Sequence, residues 1–259
     1  MGEFAFGNIE ANLQLWMLAM IRPGAAMLAA PFFGAAAIPL QLRLVLALAL
    51  ALPSSAMIAP AMPADGLASL AGILMMAGEI LVGLAMGFAL QIGYAAALLA
   101  GEVISNMMGI GFAAMADPAT GQPSPAVGQY LSMLSLCLFL AGNGHLLFIE
   151  ALFESYRSLP PGGPGLTAAA LANLVNFGGL VFVAGMAVAM PVLSALLMVQ
   201  TIFAMISRSA PTLNLFAVGF PVTLAAGIVL LALATPAMAD ALMRTMAEAL
   251  EAAALLANN

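Results

Sequence analysis

The sequence predicts an all-α, polytopic membrane protein with about six hydrophobic segments. Of its 259 residues, 64% are hydrophobic and only 6% are charged, and the mean hydropathy is +1.14. Soluble domains carry about 25% charged residues. A membrane-spanning helix needs about 20 apolar residues. Long stretches of the chain contain no Asp, Glu, Lys or Arg: residues 44–64, 80–101, 118–149, 158–207 and 209–239. With an apolar run at residues 11–33, these stretches indicate a single membrane domain over residues 1–259.

The charge balance limits the partners but does not set the orientation. The net charge is −6 and the chain has no lysine, which argues against nucleic acid and anionic lipid surfaces as partners. The arginines in the predicted loops fall on alternate sides of the membrane, so the rule that places basic residues in the cytoplasm gives no orientation.

The first two segments carry one arginine each. A first helix is expected over residues 8–33, interrupted at Arg22-Pro23 because proline removes a backbone donor. An arginine at that depth should face protein or water rather than lipid. Arg43 opens a second helix, which should lead into a proline-rich connection at residues 53–65. No basic residue precedes the first apolar run, so we expect a retained span rather than a cleaved signal peptide.

The third segment, residues 67–100, combines a carboxylate with closely spaced glycines. Gly83 and Gly87 are four residues apart and predict a face on which another helix approaches closely. Glu79 precedes them, and an ionisable residue inside a span is costly without a partner. We therefore interpret Glu79 as part of an assembly interface or a polar lumen in preference to a proton-transport site.

The central stretch, residues 101–125, interrupts the apolar sequence with Glu102, Asp117, several glycines and three prolines. Non-helical backbone at membrane depth is tolerated where it is buried in protein or lines an aqueous cavity. The residues therefore support two interpretations, an element of a transport pathway or a surface hairpin loop.

The next segment, residues 127–153, contains His145. A lone histidine could relay protons or bind a metal, but the chain has no second histidine. We expect a hydrogen-bonded structural histidine near a helix end.

The C-terminal half should hold a fifth span at residues 166–206 and a sixth that ends near Pro236. Between them, Arg208, Pro211 and Asn214 indicate a connecting segment, because the stretch is too polar to be an ordinary part of a membrane span. We expect Arg208 and Asn214 to link the last two spans or to contact a partner subunit. Residues 240–259 predict an amphipathic helical tail that packs on protein.

Five motifs follow one another along the chain: PGAAMLAAPFFG…IPLQLRLVLALAL (23–50), GEILVGLAMGF (78–88), AGEVI…GIGFAAMADPATGQPSP (100–125), LFLAGNGHLLFIEALFESYRSLP (138–160) and ISRSAPTLNLFAVGFPVTL (206–224). In this order they resemble the FliR family of flagellar type III export-gate proteins, whose relatives serve virulence injection systems. The resemblance covers nearly the whole chain.

This resemblance implies helical hairpins that join FliP-like and FliQ-like subunits in a spiral around an export pore. An FlhB-like subunit is a further expected partner. The complex would lie in the bacterial inner membrane at the flagellar basal body, where unfolded flagellar proteins pass through it. The loop at about residues 106–122 would act as a plug, and no cofactor or metal is implied. The alternative is the homologous gate subunit of a virulence system, although the GFP at 219–221 favours the flagellar branch.

Two groups of residues are expected to carry these roles. The expected plug residues are Met107, Met108, Gly109, Ile110, Gly111, Phe112, Met115, Asp117 and Pro118. The expected assembly residues are Arg22, Arg43, Glu79, Gly83, Gly87, Glu102, His145, Arg208, Pro211 and Asn214. We expect the chain to be stable only in its complex, because Arg22, Glu79 and Glu102 need partners.

The chain departs from the family pattern at two positions. Gln200 stands where the family often has an acidic residue, so an acid there cannot be essential to this protein. Val222-Thr223 stands where the family commonly has a lysine. Any electrostatic contact attributed to that lysine is therefore in doubt.

Other classes of function fit the residues less well. An intramembrane hydrolase would need a nucleophile and a base, and Ser132 or Ser135 with His145 is the only candidate pair, without a G-x-S-x-G motif. We therefore expect no enzymatic activity. A secondary transporter could use Glu79, Glu102 and Asp117, but such proteins usually show two similar halves. No convincing internal repeat is visible in the sequence.

Overall fold

The computed structural model describes residues 9–34, 38–57, 63, 66–110, 126–209 and 215–257. Within these ranges every regular element is an α-helix, which confirms the predicted all-α class. The helices are α1 (Ile9–Ala29), α2 (Leu40–Met57), α3 (Leu70–Met108), α4 (Ala126–Ala141), α5 (Gly144–Ser158), α6 (Ala168–Phe177), α7 (Leu180–Ser209) and α8 (Leu215–Ala257).

The length and composition of the helices confirm a polytopic membrane protein. In the described part of the chain, three segments are long and apolar enough to cross a membrane: Leu70–Met108, Ala168–Arg208 and Gly219–Leu256. The pair α4 and α5 passes the same test as one broken span, and the apolar Leu40–Ser55 is shorter. The 39 residues of α3 correspond to about 58 Å of helix, roughly twice the hydrocarbon core of a bilayer. One crossing therefore does not account for the whole length of α3.

Prolines lie inside helices where the sequence predicted breaks. Helix α1 continues through Pro23 and α2 through Pro53, so the predicted interruption at Arg22-Pro23 is wrong. Helix α8 contains both Pro221 and Pro236. The amphipathic tail is therefore continuous with the last span rather than a separate helix. A proline removes one hydrogen bond of its helix, and membrane helices tolerate this because neighbouring groups satisfy the freed carbonyl.

The helices form two compact units, each assembled from separate parts of the chain. Unit 1 comprises Met1–Ile92, Asn143–Gly178 and Ala247–Asn259, and unit 2 comprises Gly93–Gly142 and Gly179–Met246. The single membrane domain over residues 1–259 stays a prediction.

In unit 1, α1 packs on α2 and runs alongside α3. A Cβ built on Gly83 would collide with the backbone of Arg22 and Ala26, and one built on Gly87 would collide with Ala26 and Ala30. The contact moves four residues along α1 as it moves four residues along α3, so the two helices are parallel. Gly83 and Gly87 therefore form a close-packing face, and the helix that packs on it is α1 of the same chain.

Unit 2 contains the C-terminal part of α3 together with α4, α7 and much of α8. Their buried apolar side chains form one core: Ala97, Ala100, Ile104, Met108, Val127, Leu131, Val188, Ala189, Val192, Leu193, Leu196, Met238 and Leu242. A Cβ on Gly101 would clash with the backbone of Gly128, so α3 and α4 approach each other closely. On α8, Leu242 and Met246 are buried while Arg244 is exposed, in agreement with the predicted amphipathic pattern.

Candidate functional site

A buried ion pair joins α1 to α3 in unit 1. Arg22 Nε donates to Glu79 Oε2 at 2.9 Å, and Arg22 Nη2 donates to Glu79 Oε1, also at 2.9 Å. Arg22 is only 1% exposed and Glu79 only 3%. The planar fork of the guanidinium matches the carboxylate in this two-point geometry, which lysine could not reproduce.

Residues at the end of α5 complete the surroundings of Arg22. Arg22 Nη1 donates to Ser155 Oγ at 2.8 Å, and Nη2 donates to the carbonyl of Leu159 at 2.7 Å. The centroid of the Tyr156 ring lies 4.1 Å from the guanidinium carbon of Arg22, within cation–π range. We call Arg22, Glu79, Ser155, Tyr156 and Leu159 the ion-pair cluster.

The hydroxyl of Tyr156 extends the ion-pair cluster back to α1, since it donates to the carbonyl of Ala19 at 3.0 Å. Three helices of unit 1 are therefore joined through polar groups that satisfy one another. A cavity of about 410 Å³ lies beside Arg22 and Glu79, lined in part by the loop at residues 159–165. A cavity of this size can hold several water molecules.

The described part of the central loop is its beginning, Met107–Ile110, which we call the loop root. Gly109 ends α3 with a φ of 80°, a left-handed conformation that glycine adopts without steric cost. Its amide donates to the carbonyl of Asn106 at 3.1 Å. The other predicted plug residues, Gly111, Phe112, Met115, Asp117 and Pro118, lie outside the described residues.

Side chains from two other helices of unit 2 reach the last carbonyls of α3. Gln200 Nε2 of α7 donates to the carbonyl of Met107 at 2.9 Å. Thr223 Oγ1 of α8 is 3.5 Å from the carbonyl of Met108 and also donates to Phe220 of its own helix at 3.0 Å. The contact made by Gln200 is therefore the stronger of the two.

Apolar contacts hold the same turn. Met108 is 1% exposed, and its side chain occupies the space left by the missing Cβ of Gly227 on α8. The ring of Phe220 lies 3.2 Å from the place where a Cβ on Gly109 would be. The loop root is thus packed and hydrogen-bonded on the side that faces α7 and α8.

Comparison with known proteins identifies the family. The family model for bacterial export proteins, family 1, matches residues 13–249. The chain belongs to the FliR family of bacterial export proteins. It is 36% identical to the flagellar biosynthetic protein FliR of Escherichia coli K12 over 230 residues, which cover 88% of this chain and 86% of that protein. It is 35% identical to FliR of Pectobacterium carotovorum, covering 80% and 78% of the two chains, and 32% identical to FliR of Caulobacter vibrioides, covering 87% and 91%.

Membership of the FliR family confirms the resemblance drawn from the five motifs. The chain is a membrane component of flagellar biosynthetic export, and protein transport, flagellum biogenesis and type III export describe its family.

The structure corrects one expectation about this FliR-family chain. Arg22 and Glu79 were expected to need partners beyond the chain, yet each is the partner of the other. The physical argument that a buried charge requires a partner holds. These two residues therefore give no reason to expect instability of the isolated chain.

The remaining predicted assembly residues are dispersed. Glu102 is exposed on α3, Arg208 is exposed in the last turn of α7, and Arg43 is half-buried in the first turn of α2. Among the described residues, no hydrogen bond or ion pair joins Glu102 or Arg208 to the ion-pair cluster or the loop root. Pro211 and Asn214 lie outside the described residues.

His145 lies near a helix end, as predicted, since it is the second residue of α5. Its Nδ1 is buried without a hydrogen-bond partner in the described part of the chain. The expected hydrogen bond at that nitrogen is therefore not found there. Among the described residues, no group of three or more His, Cys, Asp or Glu could hold a metal ion.

Sequence reasoning missed several residues that complete the two sites. Ser155, Tyr156 and Leu159 surround Arg22, and Phe220 and Gly227 pack on the loop root. A buried arginine indicates that hydrogen-bond acceptors are needed, but the sequence does not show which residues provide them. Gly227 was one glycine among 25, and only its packing against Met108 distinguishes it.

Proposed function

We propose that this chain is a subunit of the type III protein export gate of the bacterial flagellum. It would lie in the inner membrane at the basal body and form part of the pore for unfolded flagellar proteins. Residues at about 106–122 would close that pore at rest. The observation that carries the proposal is the loop root, a helix end anchored from two other helices that leads directly into the glycine- and methionine-rich stretch.

The composition of the loop suits a deformable barrier. Met107, Ile110, Phe112 and Met115 supply apolar surface, and methionine repacks easily because its thioether chain is flexible. A dry apolar constriction blocks ions by dewetting. An extended polypeptide could displace such side chains without breaking a network of hydrogen bonds.

The second half of the loop would return the chain to α4. Gly111 would allow the backbone to bend in a confined space. The carboxylate of Asp117 would face water or backbone donors, while Pro118 would keep the segment from continuing as a helix. The start of this loop would therefore be fixed by packing and its return by local turn chemistry.

The exposed apolar faces of unit 2 are consistent with further subunits or lipid around the chain. Phe182, Met198 and Met205 of α7 are 66–69% exposed, and Leu233 of α8 is 74% exposed. Faces of this kind are covered by lipid or protein in a membrane. FliP-like and FliQ-like subunits, with an FlhB-like subunit, are the partners that the proposal requires.

Deletion of Gly109–Ala116 tests the proposal. The complete complex should be isolated from the native membrane with and without this deletion and reconstituted into liposomes that report ion flux. Because the barrier is removed while α7 and α8 remain, we expect assembly with the same subunits and a leak of small ions. A deleted complex that assembles and stays tight to ions would show that other side chains form the resting barrier.

A further inference from the structure

We propose that Gln200 and Thr223 are positioning residues that clamp the loop root, so that α7 and α8 set the place where the central loop begins. This proposal rests on the proposed function, because the loop is taken to be the closing element. It adds to that function the residues that hold the element in position.

The clamp acts on groups that a helix cannot satisfy by itself. The last carbonyls of an α-helix have no intrahelical partner and are usually satisfied by local turns or water. Here the acceptors are the carbonyls of Met107 and Met108, and the donors are distant in sequence by 93 and 115 residues. The end of α3 is thus tied to α7 and α8 rather than only to its own next residues.

The apolar contacts give the clamp a fixed geometry. Met108 fills the gap over Gly227, and Phe220 covers the left-handed Gly109. The backbone carbonyl of Phe220 shares the single proton of the Thr223 hydroxyl with the carbonyl of Met108. A shift of the N-terminal part of α8 would therefore move a hydrogen-bond donor and a packing surface of the loop root together.

The chemistry of the donors makes the proposal specific. An amide nitrogen and a hydroxyl can both donate to a carbonyl, whereas a carboxylate has no proton to donate. Gln200→Glu keeps the shape of the side chain but places an acceptor against the Met107 carbonyl. It should release the loop root as effectively as Gln200→Leu.

A thiol reporter can measure this release in the assembled complex. Cys137 is exposed and is first replaced by Cys137→Ala, and Ile110→Cys then places a thiol at the end of the described loop root. The labelling rate of that thiol by a small maleimide is compared in complexes carrying Gln200→Leu, Gln200→Glu or Thr223→Val. Gln129→Leu, an exposed glutamine of α4 in the same unit, is the matched control.

We expect labelling about fivefold faster with either Gln200 variant, the factor that corresponds to about 1 kcal/mol for one hydrogen bond. Thr223→Val should raise the rate by about twofold, because its contact is longer. Gln129→Leu should leave the rate unchanged. Labelling of Gln200→Leu and Gln200→Glu complexes at the control rate would overturn the clamp.

The labelling complexes and the separate deletion complex together distinguish failure of the clamp from failure of the proposed function. If the deletion of residues 109–116 leaks ions while the Gln200 variants label Ile110→Cys at the control rate, the clamp alone is overturned. A deletion that stays tight would overturn the resting barrier, while the labelling rates would still decide the clamp. If Gln200→Leu does not assemble, Thr223→Val decides the clamp by the same rate criterion.

Discussion

The ion-pair cluster of unit 1 and the loop root of unit 2 hold helices together by opposite means. Arg22 and Glu79 are full charges that satisfy each other at 2.9 Å. The loop root is held by neutral donors on backbone carbonyls and by the packing of Met108. Removing one member of a buried ion pair costs about 3–5 kcal/mol, whereas one neutral hydrogen bond contributes about 1 kcal/mol. The first arrangement suits a permanent joint, and the second suits the proposed plug, which would have to be released during export.

Breaking the ion pair should produce the largest effect. Arg22→Ala leaves the buried carboxylate of Glu79 without a partner, so we expect a loss of about 3–5 kcal/mol in stability. The measurement is the amount and thermal stability of the complex in detergent. The exposed pair Arg157 and Glu154 supplies the control, since Arg157→Ala should change stability by less than about 1 kcal/mol.

The double substitution Arg22→Met with Glu79→Leu refines that result. Replacing a whole buried pair by apolar residues is often tolerated, so the double variant should recover most of the stability lost by Arg22→Ala. A double variant as unstable as Arg22→Ala would mean that Arg22 acts chiefly through Ser155 and Leu159 rather than through Glu79.

A side chain at Gly83 should separate α1 from α3 and cost somewhat less. Gly83→Val places atoms against the backbone of Arg22 and Ala26, and overpacking of this kind costs about 1–3 kcal/mol. Resistance of the complex to proteolysis and to heating measures the effect. Gly78→Ala on the same helix is the control, because a Cβ there meets no atom within 4 Å. Equal losses from both substitutions would contradict the proposed packing face.

A methyl group on Gly227 should give the smallest change in stability. The Cβ would lie 2.5–2.8 Å from atoms of the Met108 side chain, and this flexible side chain can move at a cost of about 1 kcal/mol. We expect Gly227→Ala to assemble normally and to leak ions slightly. Gly219→Ala on the same helix has open space and should stay tight. A tight Gly227→Ala complex would show that the position of Met108 does not matter for closure.

Local chemistry explains what the sequence could predict about these two sites. The cost of burying charge required partners for Arg22 and Glu79, and four-residue spacing indicated a packing face at Gly83 and Gly87. The sequence could not pair Arg22 with Glu79 across 57 residues. Several acidic residues of the chain could pair with Arg22, and the parallel packing of α1 on α3 brings Glu79 next to it.

Long-range contacts explain most of what the sequence left out. In the sequence, Gln200 and Thr223 stand out only as departures from a family pattern, and their contacts with the carbonyls of α3 follow from the packing of unit 2. Local rules treat proline as a helix breaker and therefore predict breaks at Pro23 and Pro236. Both lie inside helices, since tertiary contacts in a membrane outweigh the loss of one hydrogen bond.

The most direct test of the account compares ion leakage through two altered complexes of equal subunit composition. One complex carries the deletion of Gly109–Ala116, and the other carries Arg22→Met with Glu79→Leu. We predict that the deletion leaks small ions and that the double variant, once assembled, remains tight. A tight deletion beside a leaking double variant would contradict the account, because the permanent joint rather than the central loop would then control closure.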